Sequence, residues 1–317
     1  MASLLLIGGT GFFGKSFLDS FQRGGLEDWG IDRLIAMSRH ADRLKNVAPQ
    51  LLDNRVQLIN ADIGTVDSLP SADYVIHAAA STDARDYLAK PESERKNIQA
   101  GVYNYCQLAP SAHAKSKIVY VSSGAVYGVQ QASEHFLLED AFKVSLDGMP
   151  EHKRDYAMAK RDAEAEVRGL SNQGLAVSIA RCFAFVGPWL ARDQHFAIGN
   201  FIEDGLQGRA IQVKANHPVY RSYMHADDLV TWLMTIAENA DTKCEAFNVG
   251  SDYAVEMREL GQLVASLFGV GVSVPPLSEI KIDRYIPSIQ KAKDKLGLNL
   301  TFSLADAIRS TIDYIRA

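Results

Sequence analysis

The sequence predicts a doubly wound, parallel α/β sheet with a smaller C-terminal substrate-binding lobe, and three observations predict it. Short apolar runs alternate with stretches of helical length through the first half of the chain. These runs lack the strict apolar–polar alternation of a sheet with one wet face, so they read as strands covered on both sides. A glycine-rich segment, GGTGFFG at 8–14, follows the first run at once and opens the first helical stretch.

In chain order, strands are expected at 4–7, 34–38, 56–59, 74–77 and 117–122, with helices at 14–22 and 93–108 between them. A helix at 156–170 and a strand at 176–181 follow. After Gly187-Pro188 the regularity weakens, leaving short strands at 220–224 and 246–249 and helices at 257–268 and 304–315. The expected division is residues 1–181 for the sheet domain, with 220–250 returning to it. Residues 182–219 and 251–317 would then form the lobe.

The 317 residues are 47% hydrophobic and 22% charged, an ordinary globular composition. A formal charge of −5 without any basic run argues against electrostatic binding to nucleic acid or anionic lipid. Cys106, Cys182 and Cys244 show no CxxC or Cys/His ligand spacing and read as buried free thiols. No HExxH is present, so metal chemistry has no support. The apolar run at 4–7 has no basic flank and is too short for a signal core, and nothing approaches the ~18 apolar residues of a membrane span. A cytoplasmic protein without membrane association is expected.

Gly8, Gly11 and Gly14 stand at GxxGxxG spacing, with Thr10, Phe12 and Phe13 among them. Glycine permits a tight turn there and lets backbone approach a pyrophosphate, while the helix N-terminus offers free N–H groups to that anion. An acid at the end of the second strand would accept both ribose hydroxyls of NAD(H). This chain has Ser38 and Arg39 instead, with no acid until Asp42. A guanidinium matches a phosphate bidentately, so NADP(H) is favoured. A surface arginine beside an NAD(H) site lacking its acid is the alternative. Asp62 and Ile63, after the third strand, are suitably placed for adenine, and Ala78, Ala79 and Ala80 let a cofactor lie over the sheet edge.

YAMAK at 156–160 puts Tyr156 and Lys160 on one face of a helix. A lysine ammonium and an oxidised nicotinamide nearby would draw the tyrosine pKa down from its ordinary value near 10. Upstream, YVSSGAVYG at 120–128 sets Ser122 and Ser123 at the end of a buried strand, where ligands of open α/β sheets collect. A hydroxyl there can hydrogen-bond a reacting carbonyl oxygen together with the tyrosine.

These motifs, together with HAAAS (77–81), RCFAFVGP (181–188), RSYMHADDL (221–229) and FNVGS (247–251), resemble in order those of the extended short-chain dehydrogenase/reductases. That is a family of NAD(P)-dependent sugar-nucleotide epimerases, dehydratases and reductases with the Rossmann fold. The resemblance runs from residue 4 to about 300 and implies roles for single residues. Ser123 would be the catalytic serine and Ser122 its neighbour toward substrate. Tyr156 would be the acid/base, and Lys160 would hold the ribose and tune it. Asn97 matches a helix asparagine near the cofactor. Arg221 would meet the substrate's diphosphate, and Arg284 resembles a second such arginine; a surface ion pair is the alternative for each. Asp227 and Asp228 would help dock the C-terminal lobe, and His225 reads as structural. A homodimer paired through the helices at 93–108 and 156–170 is the family-level expectation.

Three departures bear on the reaction. Many dehydratases of the family carry an acid pair directly after the catalytic serine or threonine, where this chain has Gly124-Ala125. Ala184 stands where many relatives have asparagine or serine. The long connection from Ser123 to Tyr156 contains the irregular KVSLDGMPEHKRD (143–155), expected to wall the substrate site and to tighten with substrate, or else to be a mere connector. The expected function is NADP(H)-dependent reduction of a keto sugar nucleotide, commonly at C4. A sugar-nucleotide 4-epimerase is the alternative. A uronic-acid decarboxylase has no positive support in these residues, and a non-catalytic nucleotide sensor conflicts with the intact Ser123, Tyr156 and Lys160.

Overall fold

The computed structural model describes residues 1–80, 91–141, 145–194, 196–279 and 281–317. Ser81 and residues 142–144, both inside segments singled out above, lie outside the described residues.

Six strands build the centre of the main sheet: β1 (Ala2–Ile7), β2 (Ile31–Ser38), β3 (Val56–Asn60), β4 (Tyr74–His77), β5 (Lys117–Ser123) and β6 (Ala176–Cys182). They run parallel in the spatial order 3-2-1-4-5-6, and the strand Ala246–Val249 adds a seventh beside β6. This is the Rossmann order, whose direction of winding reverses between β1 and β4. The apolar runs are buried as their composition demands: Leu4 and Leu5 are 0% exposed, so truncating either to alanine would cost about 2–5 kcal/mol. At the sheet edge, β3 is less buried, with Gln57 and Asn60 exposed.

Helix α1 (Phe12–Gln22) follows the glycine loop, and the short turn α2 (Leu44–Val47) follows β2. Helices α3 (Pro91–Ala112) and α4 (Glu151–Asn172) pack against each other and the sheet. Ile98, Val102, Tyr105, Cys106 and Ala109 form the buried stripe of α3. Ala157, Ala159 and Ala163 give α4 a slim face toward the core. The expected start of α4 at Tyr156 is corrected: the charged residues Glu151 to Asp155 are its exposed first turn, entered at Pro150. The irregular connection therefore ends at Pro150, not Asp155.

The chain forms two compact units. The first comprises Met1–Val126, Met149–Cys182 and Val230–Phe247, and the second Tyr127–Gly148, Phe183–Leu229 and Asn248–Ala317. Within the second, the expected strand at 220–224 is two strands, Val219–Arg221 and Met224–His225, that join different small sheets. Asn248 ties two segments of this unit together: its amide donates to the Leu137 and Ser288 carbonyls at 2.9 and 3.0 Å, and it accepts from the Tyr127 hydroxyl at 2.7 Å. Asp228 accepts from the Thr301 backbone and hydroxyl, which anchors the approach to the last helix, Leu304–Arg316. His225 is buried and stacks on Phe302 with ring centroids 4.0 Å apart. All three cysteines are buried free thiols. No helix among the described residues is long and apolar enough to cross a membrane.

Candidate active site

The ends of four strands converge on the winding reversal, and each carries residues singled out in the sequence. Gly8–Gly14 follows β1, Ser38-Arg39 ends β2, Asp62-Ile63 follows β3 and Ala78–Ala80 follows β4. The glycines of the first loop divide into two kinds. Gly8 has φ +101°, and a side chain there would meet the Ala78 backbone at 2.8 Å. A side chain at Gly14 would meet the Gly9 backbone at 2.3 Å. Those two lock the loop against the sheet. Gly11 is exposed, and a side chain there would find only the Gly8 carbonyl, at 3.7 Å. Internal packing does not explain that glycine.

Gly11 is also the N-cap of α1, where no side chain caps the helix and no acid sits in the first turn. An uncapped helix N-terminus beside bare backbone fits a dinucleotide pyrophosphate. Thr10, Phe12 and Phe13 are half-buried around it, with the two phenylalanine rings edge to face. Ser38 adds a buried hydroxyl without a hydrogen-bond partner among the described residues. Arg39 beside it is exposed. Asp42, the first acid beyond β2, is engaged elsewhere: its carboxylate accepts from the Asn60 amide and pairs with Lys45 at 2.5 Å, and these bonds hold its pKa below the ordinary carboxylate range.

Not every expected cofactor residue faces this edge with a free group. The Asp62 carboxylate accepts from the Gly64 backbone at 2.9 Å and so shapes its own turn. Asn97 lies on an exposed face of α3 and donates to Glu94 at 3.2 Å. Two turns further on, Asn104 donates to the Ile63 and Val66 carbonyls at 2.9 and 2.8 Å, and thereby holds the Asp62–Val66 turn in place. The sequence reading missed it.

The residues expected to react come together where β5 ends. Ser123 and Tyr156 stand close enough for their side chains to interact. Burial pushes the Tyr156 hydroxyl up to about 12; the Ser123 hydroxyl opposes that rise, and nearby Cys182 adds to it. In the chain itself desolvation wins, and Tyr156 is held as a protonated acid; the expected lowering is one that an oxidised nicotinamide beside the lysine would bring. Lys160, 2% exposed, donates from Nζ to the Val121 carbonyl at 2.9 Å and to the Tyr120 hydroxyl at 3.3 Å. Its Nζ stands 6.0 Å from the Tyr156 ring centre. Burial lowers the Lys160 pKa to about 8, with Cys182 and then Glu164 acting the other way. Cys182 is the register partner of Ser123, and burial keeps its thiol well above the ordinary range, hence protonated.

The structure turns Ser122 away from the substrate contact expected of it. Its hydroxyl is buried and donates to Glu164 at 2.7 Å. In the second unit, Arg221 and Arg284 stand on neighbouring strands of one small sheet, with Tyr220 opposite Arg284. Arg221 is held bidentately by Asp283 at 3.2 and 2.9 Å, and Arg284 lies over the Tyr220 ring at 4.3 Å.

Comparison with known proteins follows the same lines. The NAD dependent epimerase/dehydratase family matches residues 4–250. Over 320 residues the chain is 27% identical to UDP-glucuronic acid decarboxylase 1 of Xenopus tropicalis, covering 99% of this chain and 72% of that protein. It is 24% identical to UDP-glucuronate 4-epimerase 6 of Arabidopsis thaliana, over 84% of this chain and 60% of that protein. Among solved structures, a dTDP-glucose 4,6-dehydratase from Streptomyces venezuelae with NAD bound shares the fold with a TM-score of 0.81 at 22% identity, covering 99% and 97% of the two chains. UDP-glucose 4-epimerase from Thermotoga maritima, with UDP-glucose, gives 0.80 at 21%, covering 99% and 98%. The glycine loop, the strand-end serine and the Tyr156–Lys160 pair thus have a shared origin: the chain is an enzyme of the NAD dependent epimerase/dehydratase family, within the extended short-chain dehydrogenase/reductases.

Proposed function

We propose that the protein is an NADP(H)-dependent oxidoreductase that reduces a keto sugar nucleotide, at C4 of the sugar, with Tyr156 as the proton donor. The observation that carries this reading is the placing of Ser123 beside Tyr156, a tyrosine that burial keeps protonated. Gly8, Gly11, Gly14 and the α1 N-terminus would hold the dinucleotide diphosphate, with Ser38 and Arg39 toward its adenosine. When bound, the nicotinamide supplies the hydride.

The rest is done by the chain. Ser123 and Tyr156 hold the carbonyl oxygen between two hydroxyl donors, so negative charge developing there is stabilised as it forms. Tyr156 then gives its proton to that oxygen, and the Lys160 ammonium stabilises the phenolate left behind. Gly124 and Ala125 bring no acid or base beside the sugar, which argues for carbonyl reduction over loss of water. Arg221 and Arg284 supply positive charge for a nucleotide diphosphate; Arg221 would exchange Asp283 for it.

NADP(H) is favoured because Asp42 is occupied by Asn60 and Lys45, while Arg39 is exposed and in no ion pair with a described residue. A second reading, the 4-epimerase, is favoured by the likeness to UDP-glucuronate 4-epimerases, and the same three residues would serve it. The likeness to UDP-glucuronic acid decarboxylases favours a third outcome on the same hydride chemistry, because a uronic acid loses its carboxyl readily once the adjacent ring carbon is a ketone.

The test is to mix the purified protein with NADPH and a UDP-4-keto sugar, and separately, with NAD+ or NADP+ supplied, with UDP-galactose and with UDP-glucuronate. Stoichiometric loss of NADPH absorbance with the keto sugar supports the reductase. Interconversion of UDP-galactose and UDP-glucose without net absorbance change, or release of carbon dioxide from UDP-glucuronate, would replace it with the second or third reading.

A further inference from the structure

Behind the reacting set lies a buried charged network that the chemistry above leaves unused. Glu164 follows Lys160 by one turn of α4. Its carboxylate accepts from Ser122 Oγ at 2.7 Å, from Arg181 Nε at 2.9 Å and from Arg181 Nη2 at 2.8 Å. The two charged side chains are 5% and 6% exposed. Ser122 and Arg181 face each other in the β5–β6 register, and the next pair in that register is Ser123 with Cys182. Three elements are therefore tied together one residue before Ser123 and one helical turn after Lys160.

A buried ion pair is a weak device for stability alone. Desolvating both charges offsets much of their attraction, and apolar replacements are often as stable. This pair is bidentate, takes a third charge-assisted bond, and sits where small displacements affect a reaction. The groups that face Lys160 from every packed element are Tyr156 and Glu164 on α4, Tyr120 on β5, Cys182 on β6 and His77 on β4. Burial and then the Lys160 charge push the His77 pKa down to about 3, and Cys182 and Tyr156 keep their protons. The anionic member of that ring is Glu164.

We propose that Glu164 is a positioning residue: through Ser122 it sets the place of Ser123, and through its charge it supports the ammonium of Lys160. Arg181 holds the carboxylate in place for both tasks. This rests on the reading of Ser123, Tyr156 and Lys160 as the reacting set.

Two variants test it, S122A and E164Q, with Y156F as the reference. S122A removes one hydroxyl and leaves the ion pair intact. Its kcat on the UDP-4-keto sugar should fall about ten-fold with KM unchanged, within the ~100-fold that a 1 Å displacement can cost. E164Q should move the alkaline decline in NADPH affinity, followed by nucleotide fluorescence, to lower pH, which a merely structural role would not do. An S122A protein with undiminished kcat overturns the proposal, and so does an E164Q protein whose affinity profile coincides with the unmodified one. Should E164Q fail to fold, because Arg181 is left buried and unpaired, S122A decides by itself. Undiminished turnover in Y156F would overturn the underlying reading instead, so the two failures are distinguishable.

Discussion

Ser123, the last residue of β5, interacts through its side chain with Tyr156 on helix α4. Two hydroxyls so placed form a ready pair of donors for one carbonyl oxygen, because each can turn its proton outward once an acceptor arrives. Removing the serine should therefore weaken the donor pair without touching the dinucleotide. Ser123→Ala is expected to lower turnover by about 10- to 1,000-fold, the scale of losing one oxyanion donor. NADPH affinity, measured by fluorescence titration, should change by less than about two-fold, since the Gly8–Gly14 loop and the α1 N-terminus remain.

The glycine loop offers a sharper contrast between packing and binding. Gly11 has φ −79°, which any residue adopts, so Gly11→Ala should fold with an unchanged thermal midpoint and lose affinity for the dinucleotide. Gly14→Ala must instead displace the Gly9 backbone, 2.3 Å from the new carbon, at a cost of about 1–3 kcal/mol or more. Its thermal midpoint should fall. Equal nucleotide affinity in Gly11→Ala and the unmodified protein would remove the pyrophosphate from that loop.

Cofactor choice turns on Arg39. Arg39→Ala should weaken NADPH about 10- to 100-fold, the equivalent of a charge-assisted bond of about 1.5–3 kcal/mol, and leave NADH nearly unchanged. Equal losses for both, or an unmodified protein that prefers NADH, would contradict the NADP(H) assignment.

Lys160 sets a pH window. Burial lowers its pKa to about 8, so the ammonium is present below that pH and lost above it. NADPH affinity and turnover should both decline as pH rises through about 8. The fold should not follow. Above that pKa and up to the ordinary lysine value, the unfolded chain holds a proton the folded chain has released, so this group's contribution to stability rises with pH. Affinity and thermal midpoint recorded across the same pH series check both signs.

Much of this site is legible in the residues themselves. Leu4 to Ile7 could only be a strand buried on both faces, and Tyr156 and Lys160 could only share a helix face. What was not legible depends on tertiary contact. Glu151 to Asp155 look like a loop because they are charged, yet they are the solvated first turn of α4, and Pro150 was the signal for its start. The strand expected at 220–224 breaks because Arg221 and Met224 pair with different partners. Adjacent serines on one strand do not disclose which of them meets a carboxylate from a helix, so Ser122 was read toward substrate. Glu164 carried a usable hint, since it continues the Tyr156 and Lys160 spacing by one more turn, but its partner Arg181 lies on another strand. Nothing in the sequence near Asn104 shows that it braces the Asp62–Val66 turn, because its partners lie about forty residues away on the chain.

In the proposed reaction Tyr156 delivers the proton that accompanies hydride transfer. Turnover of NADPH with the UDP-4-keto sugar, compared between the unmodified protein and Tyr156→Phe, tests it most directly. The ring is retained, so thermal midpoint and NADPH affinity should stay within error, while kcat falls by at least about 100-fold, the scale of general acid loss. A Tyr156→Phe protein that binds NADPH normally and turns over within a few-fold of the unmodified enzyme would contradict the account.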